Sequence, residues 1–273
     1  MLGNCFTNVR KSSPLVHNIT NYVTVNDVAN AILATGASPI MSDEPKDVED
    51  ITSICGALNI NIGTLNERSI KAMHIAAKKA SSLGHVLVLD PVGAGASALR
   101  TDTAAALLDE VPFTLVRGNA SELKALSMGS HTTKGVDADE ADAVSEENLD
   151  KMVSFVKEFA KAAGCVVAMT GAIDLVADER TCYVIRNGRK EMSRITGTGC
   201  QLSGISAAFE AANPGNALEA AAAAVCTMGL AGEIAFSRMQ PGDGNSTYRN
   251  RIIDAIYNMD AKTLDEGAKY EIR

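Results

Sequence analysis

The sequence predicts an α/β sandwich in which a largely parallel central sheet is flanked by helices on both faces. Short apolar runs alternate along the chain with segments of helical periodicity, which is the pattern of a βαβ protein. The runs at 86–89, 113–116 and 165–169 lack polar alternation, as expected of strands that are covered on both faces. No linker, repeat or low-complexity segment interrupts the chain, so we interpret residues 1–273 as a single domain.

The elements follow from local patterns, with Asn21 as a candidate helix cap and Gly36 as a helix stop. In the first part of the chain we expect a loose lead-in at 1–14, strands at 15–20, 37–42 and 58–63, and helices at 21–36, 46–57 and 66–83. Further along we expect strands at 86–89, 113–116 and 165–169, a hairpin at 175–188, helices at 99–110, 120–127, 148–163, 216–237 and 247–259, a polar excursion at 129–147 and a frayed tail.

Charge and hydropathy exclude several classes of partner. The net charge is −8 and no run of Lys or Arg occurs, which argues against binding to nucleic acid or to an anionic membrane surface. The first thirty residues show no signal-peptide pattern, so we expect a cytoplasmic protein. The most apolar stretch, 217–236, is mainly alanine and contains two glutamates, which predicts a buried helix instead of a membrane span.

The six cysteines are scattered and include no Cys-x-x-Cys pair, so we expect reduced thiols that mostly fill the core. The four histidines show no ligand spacing with the cysteines. A zinc site is therefore not expected.

The segment at 195–204 is the first candidate for chemistry. Gly197 and Gly199 flank Thr198 and permit a tight turn whose backbone N–H groups converge on one point. The helix that follows adds unpaired N–H groups and a partial positive charge, so the turn predicts a seat for an anion such as a phosphate in transfer. Cys200 would face that anion. An ordinary strand-to-helix turn with a buried cysteine is the alternative.

A second set of polar residues lies where the predicted strands end. Asp90 and Arg117 each end an apolar run, Asn119 and Glu122 follow the second, and Thr170 follows a third. Ligands bind at this edge of open α/β sheets. The carboxylates suit Mg²⁺ and the guanidinium suits a phosphate oxygen. Alternatively, the aspartate before a proline makes a turn, and Asn119 with Glu122 forms a helix capping box.

These motifs resemble those of a known family. Residues 115–122 resemble the Asn-x-x-Glu element of ribokinase-like kinases, and 197–200 resembles their Gly-x-Gly-Asp anion hole. More closely, the chain resembles the hydroxyethylthiazole kinase family over 16–21, 37–41, 89–95, 117–119 and 196–200. A cysteine in place of the usual aspartate is itself typical of that family.

The resemblance implies a ribokinase-like three-layer sandwich and an activity. The reaction would be transfer of the γ-phosphoryl group of ATP, with Mg²⁺, to 5-(2-hydroxyethyl)-4-methylthiazole in thiamine biosynthesis. A homotrimer with active sites between subunits is also implied. The residues carried over are Met41, Gly197 and Asn21 for the thiazole, Arg117, Thr170 and Asn119 for ATP, Asp90 and Glu122 for Mg²⁺, and Cys200 beside the reacting hydroxyl. Met41 could equally be a core methionine at a strand end.

The role of Cys200 is open among three possibilities. A thiol could position the alcohol, accept its proton or form a covalent phosphocysteine. We favour positioning, because an arriving triphosphate favours the neutral thiol.

Other nucleotide-binding functions fit these residues less well. Residues 93–98 fit a loose dinucleotide-binding motif, but no acidic residue ends a strand about twenty residues further on. The P-loop motif does not occur in the sequence. Hydroxymethylpyrimidine and pyridoxal kinases share the anion hole but usually keep the aspartate. A non-catalytic nucleotide-binding protein is the remaining alternative.

Overall fold

A computed structural model describes residues 1–129 and 144–273, in which nine strands form one sheet in the order β2-β1-β3-β4-β5-β6-β7-β8-β9. The strands are β1 Leu15–Ile19, β2 Ser38–Met41, β3 Ala57–Asn61, β4 Val86–Asp90, β5 Leu115–Gly118, β6 Val166–Met169, β7 Asp174–Ala177, β8 Cys182–Ile185 and β9 Tyr270–Ile272. Pairs from β2 to β6 are parallel, and the remaining pairs are antiparallel. The largely parallel sheet is as predicted.

Helices cover both faces of the sheet. They are α1 Leu2–Ser12, α2 Val25–Thr35, α3 Val48–Ile54, α4 Glu67–Ser82, α5 Ala98–Glu110, α6 Ala120–Gly129, α7 Leu149–Ala163, α8 Thr198–Ala212, α9 Ala217–Ser237, α10 Asn245–Asn258 and α11 Ala261–Gly267. One core cluster joins the sheet to α1, α2, α8, α9 and α10, and the other joins it to α4–α7. On β4, Val88 belongs to the first cluster while Leu87 and Leu89 belong to the second, which is the alternation of a strand covered on both faces.

The two ends of the chain differ from the sequence expectation. The lead-in at 1–14 is largely α1, whose buried Phe6 packs edge-on against Phe209 at a ring separation of 5.7 Å. The tail is not frayed: Asp260 caps α11, and β9 pairs with β8. Both segments are rich in polar residues, and composition alone therefore predicted little order there. The few apolar side chains in them nevertheless pack on the core.

Helix α2 differs from the expectation at its start only. It begins after Thr24 and not after Asn21, while Gly36 ends it as predicted, in the left-handed conformation with φ 96°. The polar excursion at 129–147 lies mostly outside the described residues. Helix α9 is long and apolar enough to span a membrane, but 78% of its apolar window is buried inside the protein, which is the environment of a core helix.

Truncation of Phe6 tests whether α1 is part of the core. We expect Phe6→Ala to lower the free energy of unfolding by about 3–5 kcal/mol, because it removes a buried aromatic ring. Urea unfolding followed by circular dichroism measures the loss. Tyr257, with 67% exposure, provides the control, and Tyr257→Ala should change stability by less than about 0.5 kcal/mol. Equal stability of the two variants would show that α1 is not packed on the core.

Candidate active site

The first turn of α8 is built as the glycine spacing predicts. Gly197 is the N-cap residue with φ 82°, and the first helical hydrogen bond runs from Gln201 N–H to its carbonyl at 2.9 Å. No side chain of the described residues caps this turn, so the N–H groups of residues 198–200 are open to a ligand. Thr24 lies where a side chain at position 197 would have to go. The turn therefore needs glycine for both its conformation and its packing.

Arg117 lies directly over this turn. A Cβ atom at Gly199 would come within 2.5 Å of its guanidinium. The guanidinium donates to Thr170 Oγ1 at 2.5 Å and lies 3.6 Å from Asp90 Oδ2, while Nε is buried without a partner among the described residues. Three strand-end residues predicted from sequence and the helix turn therefore meet at one place.

Asp90 is fully buried at the carboxyl end of β4. Its Oδ2 accepts hydrogen bonds from Asn61 Nδ2 at 2.7 Å and Ser203 Oγ at 2.8 Å. Its Oδ1 has no partner in the part of the chain that the structure describes. Burial raises the pKa of Asp90, and the nearby Arg117 charge opposes that rise.

Asn119 and Glu122 form the capping box that was the alternative interpretation. Asn119 N–H donates to Glu122 Oε2 at 2.8 Å, and Glu122 N–H donates to Asn119 Oδ1 at 2.9 Å. Glu122 also contacts the loop after β4, since its Oε1 accepts a hydrogen bond from Gly93 N–H at 2.8 Å. This glutamate therefore ties the loop after β4 to the start of α6.

The carboxylates fit a magnesium ion that is held largely through water. Oδ1 of Asp90 is a buried oxygen without a partner among the described residues, and each Glu122 oxygen accepts one hydrogen bond from a described backbone amide, which leaves lone pairs for an ion. Within the described residues, no three His, Cys, Asp or Glu side chains converge as a direct ligand cluster. The available oxygen atoms therefore suit a hard ion that takes few ligands from the protein.

Cys200 faces Asn21. Its Sγ accepts a hydrogen bond from Asn21 Nδ2 at 3.2 Å, and the residue is only 9% exposed. Burial raises the pKa of the Cys200 thiol, and the negative charge of Asp90 raises it further. The thiol is therefore neutral near pH 7.

A cavity of about 530 Å³ opens beside Arg117. Its lining includes the predicted Arg117, Asn119, Thr170, Thr198 and Gly199, together with Asp174, Asn187, Arg189, Lys190, Met192, Leu202, Val225 and Met228. The second group was not identified from sequence, although most of it lies just before the 195–204 motif or on the helices that follow. Burial raises the pKa of Asp174 to about 7.

Met41 ends the edge strand β2, and its register partner on the adjacent strand β1 is Asn18, three residues before Asn21. Its side chain packs against the core cluster that contains Cys200. Asn21 and Gly197 lie beside Cys200, since Thr24 contacts both of them and Asn21 donates to the thiol.

Fold and site together define a class of protein. A largely parallel sheet whose carboxyl edge gathers two carboxylates, an arginine and an open helix N-terminus is the arrangement of a ribokinase-like kinase. Pyridoxal kinase from Staphylococcus aureus has this fold, with a TM-score of 0.62 and 15% identity over 95% of this chain and 97% of that one.

The family is more specific. Residues 6–262 match the sequence profile of the hydroxyethylthiazole kinase family, and the chain belongs to that family. A hydroxyethylthiazole kinase of Clostridium acetobutylicum is 56% identical over 271 residues, which are 99% of each chain. The solved hydroxyethylthiazole kinase of Pyrococcus horikoshii OT3 is 32% identical with a TM-score of 0.88, covering 100% of this chain and 98% of that one. The family predicted from sequence is thereby confirmed.

The contact between Gly199 and Arg117 gives a direct test of the site. We expect Gly199→Ala to weaken ATP binding by at least about tenfold, because the added methyl group displaces the guanidinium from the turn. Isothermal titration calorimetry measures the affinity. Gly56 has open space around its Cα, so Gly56→Ala is the matched control and should bind ATP like the wild type. Unchanged affinity in Gly199→Ala would place the nucleotide elsewhere.

Proposed function

We propose that this chain is a single-domain cytoplasmic enzyme that transfers the γ-phosphoryl group of ATP to the primary alcohol of 5-(2-hydroxyethyl)-4-methylthiazole, in thiamine biosynthesis and salvage. The observation that carries the proposal is the 56% identity, over 99% of both chains, to a relative named hydroxyethylthiazole kinase. The site geometry supports it, because an anion seat, a cation and two carboxylates meet at one edge of the sheet.

ATP would occupy the cavity beside Arg117. Its phosphates would contact Arg117, Thr170 and the open N–H groups of residues 198–200, with Asn119 at the rim. The base would pack against the apolar wall formed by Leu202, Val225 and Met228. Preorganised donors of this kind are worth a few kcal/mol each where charge develops in the transition state.

Asp90 and Glu122 would hold Mg²⁺, largely through water. When bound, the ion supplies positive charge to the phosphate oxygens. Asn61 and Ser203 fix one oxygen of Asp90 and leave the other free, while two backbone amides fix Glu122. These contacts would preorganise both carboxylates before the ion arrives.

The alcohol would bind on the Cys200 side of the helix turn, next to Asn21 and Gly197. A neutral thiol supports a positioning role, because the loose transition state of phosphoryl transfer demands little of a general base. We propose a homotrimer with active sites at subunit interfaces, as the family resemblance implies, with Met41 as a contact of the thiazole.

Substrate choice is tested by measuring ADP release with three alcohols side by side. We expect turnover with hydroxyethylthiazole and much less with hydroxymethylpyrimidine or pyridoxal, because Cys200 replaces the aspartate usual in those kinases. Turnover only with the other two alcohols would identify a sibling kinase. ATP binding without ADP release on any alcohol would identify a nucleotide-binding protein instead.

Substitution of Cys200 tests whether the thiol positions or reacts. We expect Cys200→Ser to retain measurable kcat, since a hydroxyl can hold the alcohol in place, and Cys200→Asp to be active, since a carboxylate can also accept its proton. Steady-state kinetics on folded protein, checked by circular dichroism, gives the answer. Complete loss of kcat in both variants would overturn the positioning role.

A further inference from the structure

Asn61 connects the Asp90 side of the site to the Cys200 side. It ends β3 with 1% of its surface exposed, and its Nδ2 donates to Asp90 Oδ2 at 2.7 Å. Its Oδ1 accepts from Asn21 Nδ2 at 3.0 Å and from Gly63 N–H at 3.0 Å. Because Asn21 Nδ2 also donates to Cys200 Sγ, one hydrogen-bonded chain runs Asp90–Asn61–Asn21–Cys200. We call it the amide chain.

The direction of the amide chain is fixed by its surroundings. A backbone N–H can only donate, so the N–H of Gly63 requires Asn61 Oδ1 on its side, which leaves Nδ2 to donate to Asp90 Oδ2. The N–H of Thr24 likewise fixes Asn21, whose Oδ1 accepts it at 3.2 Å. Both amides are therefore held in one orientation, with the two hydrogens of Asn21 Nδ2 directed to Asn61 and the thiol.

Gly63 supports the amide chain sterically. A Cβ atom at position 63 would lie 3.0 Å from Asn61 Oδ1 and 3.1 Å from Asn21 Nδ2, which is closer than ordinary contact. The loop after β3 therefore closes tightly over the junction of the two amides.

We propose that Asn61 is a positioning residue for phosphoryl transfer, holding the phosphate-side Asp90 and the alcohol-side Asn21–Cys200 pair in one alignment. This inference rests on the proposed function. An amide is suited to the position because it presents a donor to the carboxylate and an acceptor to Asn21 at the same time. In-line transfer is sensitive to errors of about 1 Å, so one side chain that contacts both sides can control the rate.

The strand offers a matched control for Asn61. Asn59 lies two residues earlier on the same face of β3, is 0% exposed and donates to Asn18 Oδ1 at 3.0 Å, outside the amide chain. We expect Asn61→Ala to lower kcat by at least about tenfold while KM for ATP and for the alcohol changes less than about threefold. Asn59→Ala should keep kcat within about threefold of the wild type, with thermal melting reporting any loss of stability.

A variant of similar volume separates positioning from packing. Asn61→Leu fills about the same space but loses both the donor to Asp90 and the acceptor for Asn21. If Asn61 only fills space, this variant should recover wild-type kcat. We expect it to remain as impaired as Asn61→Ala, because neither Asp90 nor Asn21 is then held by a hydrogen bond.

The alkylation rate of Cys200 provides a readout that does not depend on turnover. In Asn61→Ala the freed Asn21 and the vacated space should speed alkylation of Cys200 by iodoacetamide at least about threefold, measured by peptide mass spectrometry. Asn59→Ala should leave that rate unchanged. An alkylation rate and kcat equal to wild type in Asn61→Ala would overturn the positioning role. Wild-type turnover is measured first, and its absence with every alcohol would overturn the proposed function separately.

Discussion

The burial of one carboxylate organises this site. Asp90 has no surface exposure, so its carboxyl group must be satisfied by protein groups, and Arg117, Asn61 and Ser203 approach Oδ2 from three different elements. An unpaired buried charge would cost several kcal/mol. The groups that satisfy Asp90 therefore tie side chains of α8, β3 and β5 to the carboxyl end of β4.

The position of Arg117 beside Asp90 also explains why residue 199 is glycine. With Arg117 drawn toward Asp90, its guanidinium covers the first turn of α8, and only glycine at position 199 leaves room for it. The same turn lines the cavity beside the arginine, and no side chain among the described residues caps it. One buried charge thus leads to a cation and a row of donors aimed at the same volume, which suits a triphosphate.

The polar face of β3 shows where the alternation rule fails. Leu58 and Ile60 belong to one core cluster, as alternation predicts, but Asn59 and Asn61 are as buried as they are. Helix α8 packs against β3, so these asparagines are shielded from water and use protein partners instead: Asn59 donates to Asn18, and Asn61 donates to Asp90. Burial by an element about 140 residues away cannot be read from a six-residue pattern.

The sequence by itself determined the βαβ order, the buried strands, the glycine turn before α8 and the polar strand ends, because each depends on residues within a few positions of one another. The sequence also indicated the family, through the motifs at 16–21, 89–95 and 196–200. Only the tertiary structure decided that α1 joins the core, that β9 extends the sheet and that Asn61 connects Asp90 to Cys200 through Asn21. Those features depend on contacts between distant segments, which local propensity does not encode.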